Sequence, residues 1–402
     1  MRRLCMSNLI NPVNLDNNAT TRPLLEVVDA VGRALREEWG NPSSVHRVGI
    51  AARRIVELAR ESIAMLVGAQ PRELIFTSGG TEGANIALRG SLAHAIASDA
   101  RRRVLVTSRF EHSAVRETAE SLERSGVAEV IWLEGCSFGV PSFDALSALL
   151  AARASEVALV SLMWANNETG VVTPIAEYGA LCRSHGVRFH SDATQWVGKM
   201  HTDLASMQVD LMSFAAHKLH GPKGVGALYV RRGVHLSPMQ SGGPQERDRR
   251  GGTENVPGIA GFGVAAEFAR KWIERGEIDR LAALRDGFER AICEATGARA
   301  HGSSGVRLWN TSNIAFARLE AEAILLLLSE RGVYASAGAA CSSGSLDPSP
   351  VLLAMGVSPE EAHGSIRFSL SRETSSLELD RAVAVIVDSI LKLRRSSSAA
   401  LA

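Results

Sequence analysis

Short apolar runs recur along the chain, separated by segments with helical spacing. The runs are LIFT (74–77), VLVTS (104–108), EVIWL (129–133), VALVSLM (157–163), VRFH (187–190), LMSFA (211–215) and GALYV (226–230). Their apolar character does not alternate cleanly with polar residues, which predicts strands of a sheet buried on both faces. Segments 48–67, 113–125, 142–153 and 174–185 carry apolar positions at helical spacing. That alternation predicts an α/β layered domain with a mostly parallel sheet and ligands at the C-terminal ends of its strands. A Gly-rich, charged block at 241–257 reads as a functional loop, and a helical stretch at 257–297 follows it. The C-terminal part reads as a second unit. Its strands are NIAFA (313–317), VYAS (333–336) and IRFSL (366–370), and its helices are 320–331, 349–355 and 377–394.

At 402 residues the chain has room for two or three domains. A net charge of +1 argues against a nucleic-acid or polyanion partner. The five cysteines, Cys5, Cys136, Cys182, Cys293 and Cys341, are odd in number and scattered. They form no CxxC pair and no disulfide framework, which predicts a reducing, cytoplasmic setting and no permanent metal. The start MRRLCMSNLINPV lacks the apolar stretch of a signal peptide, and no run approaches the ~20 apolar residues of a membrane span.

Two strand ends carry paired chemistry. VRFHSDATQ (187–195) delivers Asp192, and DLMSFAAHKLHGPKG (210–224) delivers Lys218. A carboxylate and a lysine brought from strand ends into one cleft are what a pyridoxal 5′-phosphate (PLP) enzyme needs. The amine forms a Schiff base with the cofactor aldehyde, and the carboxylate keeps the pyridine nitrogen protonated. Each residue alone has a plainer reading, Lys218 as a solvated charge and Asp192 as a helix cap in SDAT. Together, and with Gln195 one helical turn on and His217 beside the lysine, they favour the cofactor site.

FTSGGTEGANIAL (76–88) is a strand, a Gly-rich turn and a helix start, a phosphate cradle in which Gly80 precedes the Thr81 hydroxyl donor. It matches neither the Walker loop nor GxGxxG, which lowers a nucleotide-binding reading. RFEHSAV (109–115) puts His112 just after a strand, either as a packed polar residue or as a ring stacked on the cofactor that shuttles protons. MWANNETG (163–170) ends another strand with Asn166 and Asn167, which suit a turn or hydrogen bonds to cofactor or substrate. SAGAACSSGSLDPSP (336–350) sets Cys341 among small, polar residues, where a thiol is unusual unless it reacts. Arg367 in SIRFSLSR (365–372) is either a carboxylate clamp or one half of a structural ion pair.

LDNNATT (15–21), GNPSSVHRVG (40–49), FTSGGTE, FEH, MWANNETG, SDATQ, HKLHGPKGVGALYVRRG (217–233), GGTENVPG (251–258), ACSSGSLDPS (340–349) and GSIRFSLSR resemble the NifS/IscS-type cysteine desulfurases. The likeness runs from about residue 13 to 390. WANNETG, LEAEAILLLLSERG (319–332) and RFSLSRET resemble the NifS side more than the IscS side. The resemblance implies an aspartate-aminotransferase-like homodimer. Residues 1–20 would pack with the small domain, 21–262 would form the large PLP-binding domain, and 263–402 the small domain with the cysteine loop.

The resemblance also implies roles. Lys218 would be the Schiff-base lysine and Asp192 the pyridinium partner. Gln195 and Asn167 would contact the ring oxygen, and His112 would stack on the ring. Gly80, Thr81 and His217 would hold the phosphate, with Thr253 contributed across the dimer. Arg367 and Asn167 would bind the substrate carboxylate, and Cys341 would be the nucleophile, with at most a transient cluster contact. The implied activity converts L-cysteine to L-alanine, leaves a persulfide on Cys341 and supplies sulfur to an iron–sulfur scaffold or another acceptor. The alternatives are a selenocysteine lyase or other PLP lyase on the same fold, or an inactive sulfur carrier or scaffold. Three positions depart from the family. Ala215 stands in place of a phosphate-binding serine, Pro244 interrupts SGGPQER, and Ala337 and Ala339 replace serines of the cysteine loop.

Overall fold

In the computed structural model, which describes residues 12–338 and 348–400, the apolar runs become strands whose neighbouring residues enter two different cores. In chain order the strands are β1 (Val13–Asn14), β2 (Leu74–Thr77), β3 (Val104–Ser108), β4 (Glu129–Leu133), β5 (Val157–Ser161), β6 (Phe189–Asp192), β7 (Leu211–Ala215) and β8 (Gly226–Val230). Then come β9 (Arg299–His301), β10 (Thr311–Ala315), β11 (Val333–Tyr334), β12 (Ser336–Ala337) and β13 (Ser365–Ser369).

The chain divides into two compact units. The larger comprises residues 20–166 and 172–277. Its seven-stranded sheet has the order β2-β8-β7-β6-β5-β3-β4, and only β8 runs antiparallel to its neighbours. Val104, Val106, Met212 and Phe214 point into one core, and Leu105 and Leu211 into the other. Burial on both faces is the reason for the unbroken apolar runs, each filled Val, Leu or Phe position contributing roughly 1.5–3 kcal/mol.

Helices α1 (Leu25–Glu37), α2 (Arg47–Val67), α3 (Gly80–Ser98), α4 (Ser113–Arg124), α5 (Phe143–Arg153) and α6 (Ile175–Ser184) belong to this unit. Of these, α1 lies in a region the sequence pattern leaves unassigned. The stretch expected at 257–297 is two helices, Val256–Glu274 and Ile278–Thr296, separated by a turn with Gly276 at φ 71°. The first runs unbroken through the expected boundary at 262/263 and packs on α2 and α1, so residues 263–277 belong to the larger unit.

Of the described residues, the smaller unit comprises 12–19, 167–171, 278–338 and 348–400. Its core sheet is antiparallel, in the order β12-β13-β10-β9, with β1 and β11 as a separate parallel pair. The backbone of 15–17 bonds to Ser369, which ties the first described residues to β13.

Candidate functional site

At the C-terminal edge of the larger unit's sheet, β2, β3, β5, β6 and β7 all end in the same direction and release their loops together. Strand β6 lies two residues later than its apolar pattern suggests. Its ladder with β7 pairs His190 with Leu211 and Asp192 with Ser213. Asp192 is therefore the last residue of a central strand, 4% exposed, and its Oδ1 accepts the Thr194 N–H at 2.9 Å. That bond resembles the cap interaction read from SDAT, made here by a strand residue.

Below Asp192, buried His190 faces Ser161 Oγ at 2.8 Å from Nδ1 and Ser213 Oγ at 3.2 Å from Nε2. Burial pushes its pKa down to about 4, against the opposing pull of Asp192, so the ring is neutral at pH 7.

Lys218 closes a 3-10 turn, Ala216–Lys218, directly after β7. Gly221 is required here, because a Cβ would meet the Ala216 carbonyl oxygen at 2.7 Å. His217 sits 3.2 Å from Thr20 Oγ1 through Nδ1. Its pKa falls to about 4 through burial and the adjacent charges of Lys218 and Lys223.

Helix α3 begins at Gly80 without a side-chain cap, so its first N–H groups are available to an anion. Gly80 itself is a close-approach position. A Cβ there would lie 2.7 Å from Thr194 Oγ1 on the turn after β6 and 3.8 Å from the Ala215 Cβ at the end of β7. Thr81 follows in the first turn and is exposed.

His112 is the N-cap of α4, and its Nδ1 accepts the Ala114 N–H at 3.1 Å. The accepting nitrogen carries no proton, so in the neutral ring the hydrogen sits on Nε2. The neighbouring Glu111 was not marked by the sequence pattern. It is 1% exposed, and its Oε1 accepts from Met163 N and Ser108 Oγ, each at 2.9 Å. Burial raises its pKa to about 8, with a smaller contribution from Asp192. Asn166 donates Nδ2 to the Phe110 carbonyl at 2.9 Å, so this amide ties the β3 loop to the β5 loop.

Gln195 is buried, and its Oε1 accepts from Lys199 Nζ at 2.7 Å. Thr253 is exposed on the loop after β8 and helps line a cavity of about 110 Å³ with Ser78, Arg250 and Glu254. Arg250 in turn pairs with Glu82 at 2.9 Å, and Glu82 accepts the Ser78 N–H at 2.6 Å. Asp192, Gln195, His112, His217, Lys218, Gly80, Thr81 and Thr253 thus all belong to one unit.

Two other sequence-marked groups, Arg367 and Asn167, belong to the smaller unit. Arg367 on β13 is 2% exposed; its NH2 pairs with Asp16 Oδ1 at 2.8 Å and its NH1 donates to the Asn167 carbonyl at 3.1 Å. The structural ion pair is therefore real. Yet Arg367 Nε and Asn167 Oδ1 are both buried without a hydrogen-bond partner, which leaves one buried donor and one buried acceptor for a small polar ligand. Asp16, in LDNNATT, was not singled out by its spacing. Cys341 and Ala339 lie outside the described residues. The residues flanking them do not: Ser349 Oγ donates to Glu168 Oε2 at 2.6 Å, and a Cβ at Gly338 would collide with the same oxygen.

The uncapped α3 start, the buried acid at a strand end and the lysine after the next strand fit PLP: an anion site, a partner for a ring nitrogen and an amine. The aminotransferase class-V family model matches residues 13–382. The chain belongs to the aminotransferase class-V family. A cysteine desulfurase of Gluconacetobacter diazotrophicus is 45% identical over 390 residues, covering 96% of each chain. A cysteine desulfurase IscS of Methanosarcina thermophila is 41% identical over 96% of this chain and 93% of its own. A solved NifS-like protein superimposes with a TM-score of 0.87 at 35% identity, over 95% of this chain and 100% of that one. Within the class-V aminotransferases the chain is an enzyme of the cysteine desulfurase type, and PLP is its cofactor. The fold expected from the resemblance is the fold observed.

Proposed function

We propose that this enzyme is a NifS-like desulfurase that converts L-cysteine to L-alanine and carries the sulfur away as a persulfide on Cys341, for iron–sulfur cluster assembly. The reading rests on one observation above all, the convergence of Lys218, Asp192, Gln195 and His112 at a single sheet edge. Bound PLP supplies an electron-withdrawing ring that acidifies the substrate's α-proton and weakens its bond to sulfur.

The chain's own groups do the rest. Asp192 holds a proton at the ring nitrogen, and its buried strand-end setting keeps water from competing for it. Lys218 Nζ takes the α-proton and returns it to the carbon skeleton. His112 would face the ring of the bound cofactor and offer the proton on Nε2. Gly80, Thr81 and neutral His217 donate to the phosphate. Arg367 and Asn167 bind the substrate carboxylate through the unpartnered Nε and the amide. Cys341 Sγ then attacks the substrate sulfur. An S–S bond forms, the C–S bond breaks with its electron pair going to carbon, and protonation of that carbon yields alanine. Thiol plus cysteine thus become persulfide plus alanine, and no outside oxidant or reductant is needed.

A homodimer is part of the proposal, with the partner subunit's Thr253 completing the phosphate site. It is supported by the apolar side chains exposed along α1, α2 and their connection. Trp39 is 71% exposed and Val45 88%, with Leu35, Ile50 and Met65 also open. Sedimentation at micromolar concentration would give twice the chain mass, and a monomer at that concentration would exclude the shared site. No helix among the described residues is long and apolar enough to cross a membrane, and a cytoplasmic setting accords with the scattered cysteines.

The deciding experiment measures alanine and sulfide from L-cysteine plus a thiol reductant, for wild type and Cys341→Ala. Equal yields of both products from wild type and none from the variant support the reading. Undiminished release from the variant overturns the persulfide step in favour of a direct lyase.

A further inference from the structure

We propose that Lys199 is a positioning residue of this enzyme, its ammonium fixing the Gln195 amide so that the NH2 group is the donor turned toward the cofactor's phenolic oxygen. The inference rests on the reading above in which Gln195 meets that oxygen.

Lys199 is 5% exposed, an unusual place for a lysine unless the charge is held by a partner. Its Nζ lies 2.7 Å from Gln195 Oε1, both atoms buried, at the short end for a charge-assisted bond. An ammonium only donates, whereas a carboxamide has one accepting oxygen and one donating nitrogen. The contact is therefore compatible with a single orientation of the amide, oxygen toward Lys199 and Nε2 turned from it. An amide turned the other way would set its NH2 against the ammonium and present its oxygen to another oxygen, and both arrangements repel. The buried charge also polarises the amide and strengthens Nε2–H as a donor.

The local backbone is arranged to make this contact. After β6 the chain makes successive tight turns, with Val197 N–H bonded to the Ala193 carbonyl at 3.0 Å and Lys199 N–H to the Trp196 carbonyl at 3.0 Å. Gly198 sits at φ 80°, and a Cβ there would approach the Leu219 Cβ to 2.6 Å, so the reversal accepts only glycine. The reversal carries residue 199 back over residue 195. Trp196 stacks on Trp164 at 4.4 Å with the rings 9° apart, which holds the turn against the end of β5. Charged or titratable groups delivered by this sheet edge include Glu82 after β2, Arg109, Glu111 and His112 after β3, His190 and Asp192 on β6, and His217 and Lys218 after β7.

The test follows the visible absorption of the bound cofactor against pH in PLP-reconstituted protein without substrate, so it reads Lys199 even if the desulfurase reading fails. Lys199→Met is expected to raise the transition midpoint by about one pH unit, roughly tenfold in proton affinity. The phenolic oxygen loses its donor and the proton lodged beside it is held more tightly. Lys199→Arg should leave the midpoint at its wild-type value. Gln195→Ala should raise it, and adding Lys199→Met to Gln195→Ala should move it no further. An unchanged midpoint in Lys199→Met overturns the proposal, as does a further rise of the same size in the double variant. If Lys199→Met fails to fold, Lys199→Arg and Gln195→Ala carry the test, and any pattern other than unchanged and raised, respectively, overturns it.

Discussion

Replacing Ala215 with serine is expected to tighten cofactor binding by about 5- to 30-fold. Ala215 ends β7, is 1% exposed, and lies three residues before Lys218. A Cβ built at Gly80 falls 3.8 Å from the Ala215 Cβ, so this side chain borders the first turn of α3, where uncapped N–H groups await an anion. A hydroxyl there adds one hydrogen bond to a charged phosphate, worth ~1–2 kcal/mol net, and each 1.36 kcal/mol is tenfold in affinity. The same hydroxyl in the apoenzyme is nearly buried, and left unsatisfied it costs about 1–3 kcal/mol of stability. Two measurements separate these effects: spectroscopic titration of apoenzyme with PLP, and thermal unfolding of the apo and loaded forms. The expected result is tighter binding with an apoenzyme no more stable than wild type. Equal or weaker affinity in a variant whose apo form unfolds like wild type would refute the placement of the phosphate beside Ala215.

Three other outcomes follow from the structure. Arg60 and Glu246 form a buried two-pronged pair at 2.9 Å, and Glu246 also accepts from Phe76 N at 3.0 Å while its own backbone sits at φ 47°. Glu246→Ala takes the two-pronged partner from buried Arg60 and leaves it only half-exposed Glu57 at 3.3 Å as a carboxylate; this should cost about 3–5 kcal/mol in urea unfolding, so a loss below about 1 kcal/mol would contradict this account. Asp16→Ala leaves buried Arg367 NH2 without its carboxylate; stability should fall by about 1–3 kcal/mol and KM for cysteine should change more than kcat. Neither effect is compatible with a purely incidental contact. His190 has a folded pKa near 4, below its unfolded value near 6.5, so the unfolded chain takes up the proton first as pH falls. Its stabilising contribution is present above pH 6.5 and is lost between about 6.5 and 4. His190→Gln should flatten the fall in unfolding free energy across that window, and an unchanged slope would show that the ring is not held neutral.

The candidate chemistry was legible in the sequence where residue type and strand position coincide. Lys218 and Asp192 are marked as candidates because each follows an apolar run, and Gly80–Thr81 because a strand, glycines and a helix start come in that order. The apolar run of β6 stops short of the strand's end because its last residues, His190, Ser191 and Asp192, are polar; pairing with β7 carries the ladder past the apolar pattern to Asp192. Lys199, four residues after Gln195, carries no such mark in the sequence. A lysine following a glycine reads as a surface turn, and only folding shows it 5% exposed. Glu111 and Asp16 were likewise unmarked, since a lone carboxylate in a loop carries no period. The divided character of Arg367 was left open by the sequence. The structure bears out the ion pair with Asp16 and at the same time leaves Nε unpartnered.

By itself the sequence determined the α/β class, the seven strands of the larger unit, the cofactor and the reaction class. Buried strands announce themselves through apolar runs, and reactive groups at strand ends occupy short, recognisable motifs. Tertiary structure alone decided how those groups are held: which atom of Arg367 remains unpartnered, that His190 is neutral beneath Asp192, which nitrogen of His112 carries the hydrogen, and how Gln195 is turned. These depend on burial and on partners such as Asp16 and Arg367, 351 positions apart. Hydrogen-bond satisfaction and desolvation act through space, so residue order along the chain does not encode them locally.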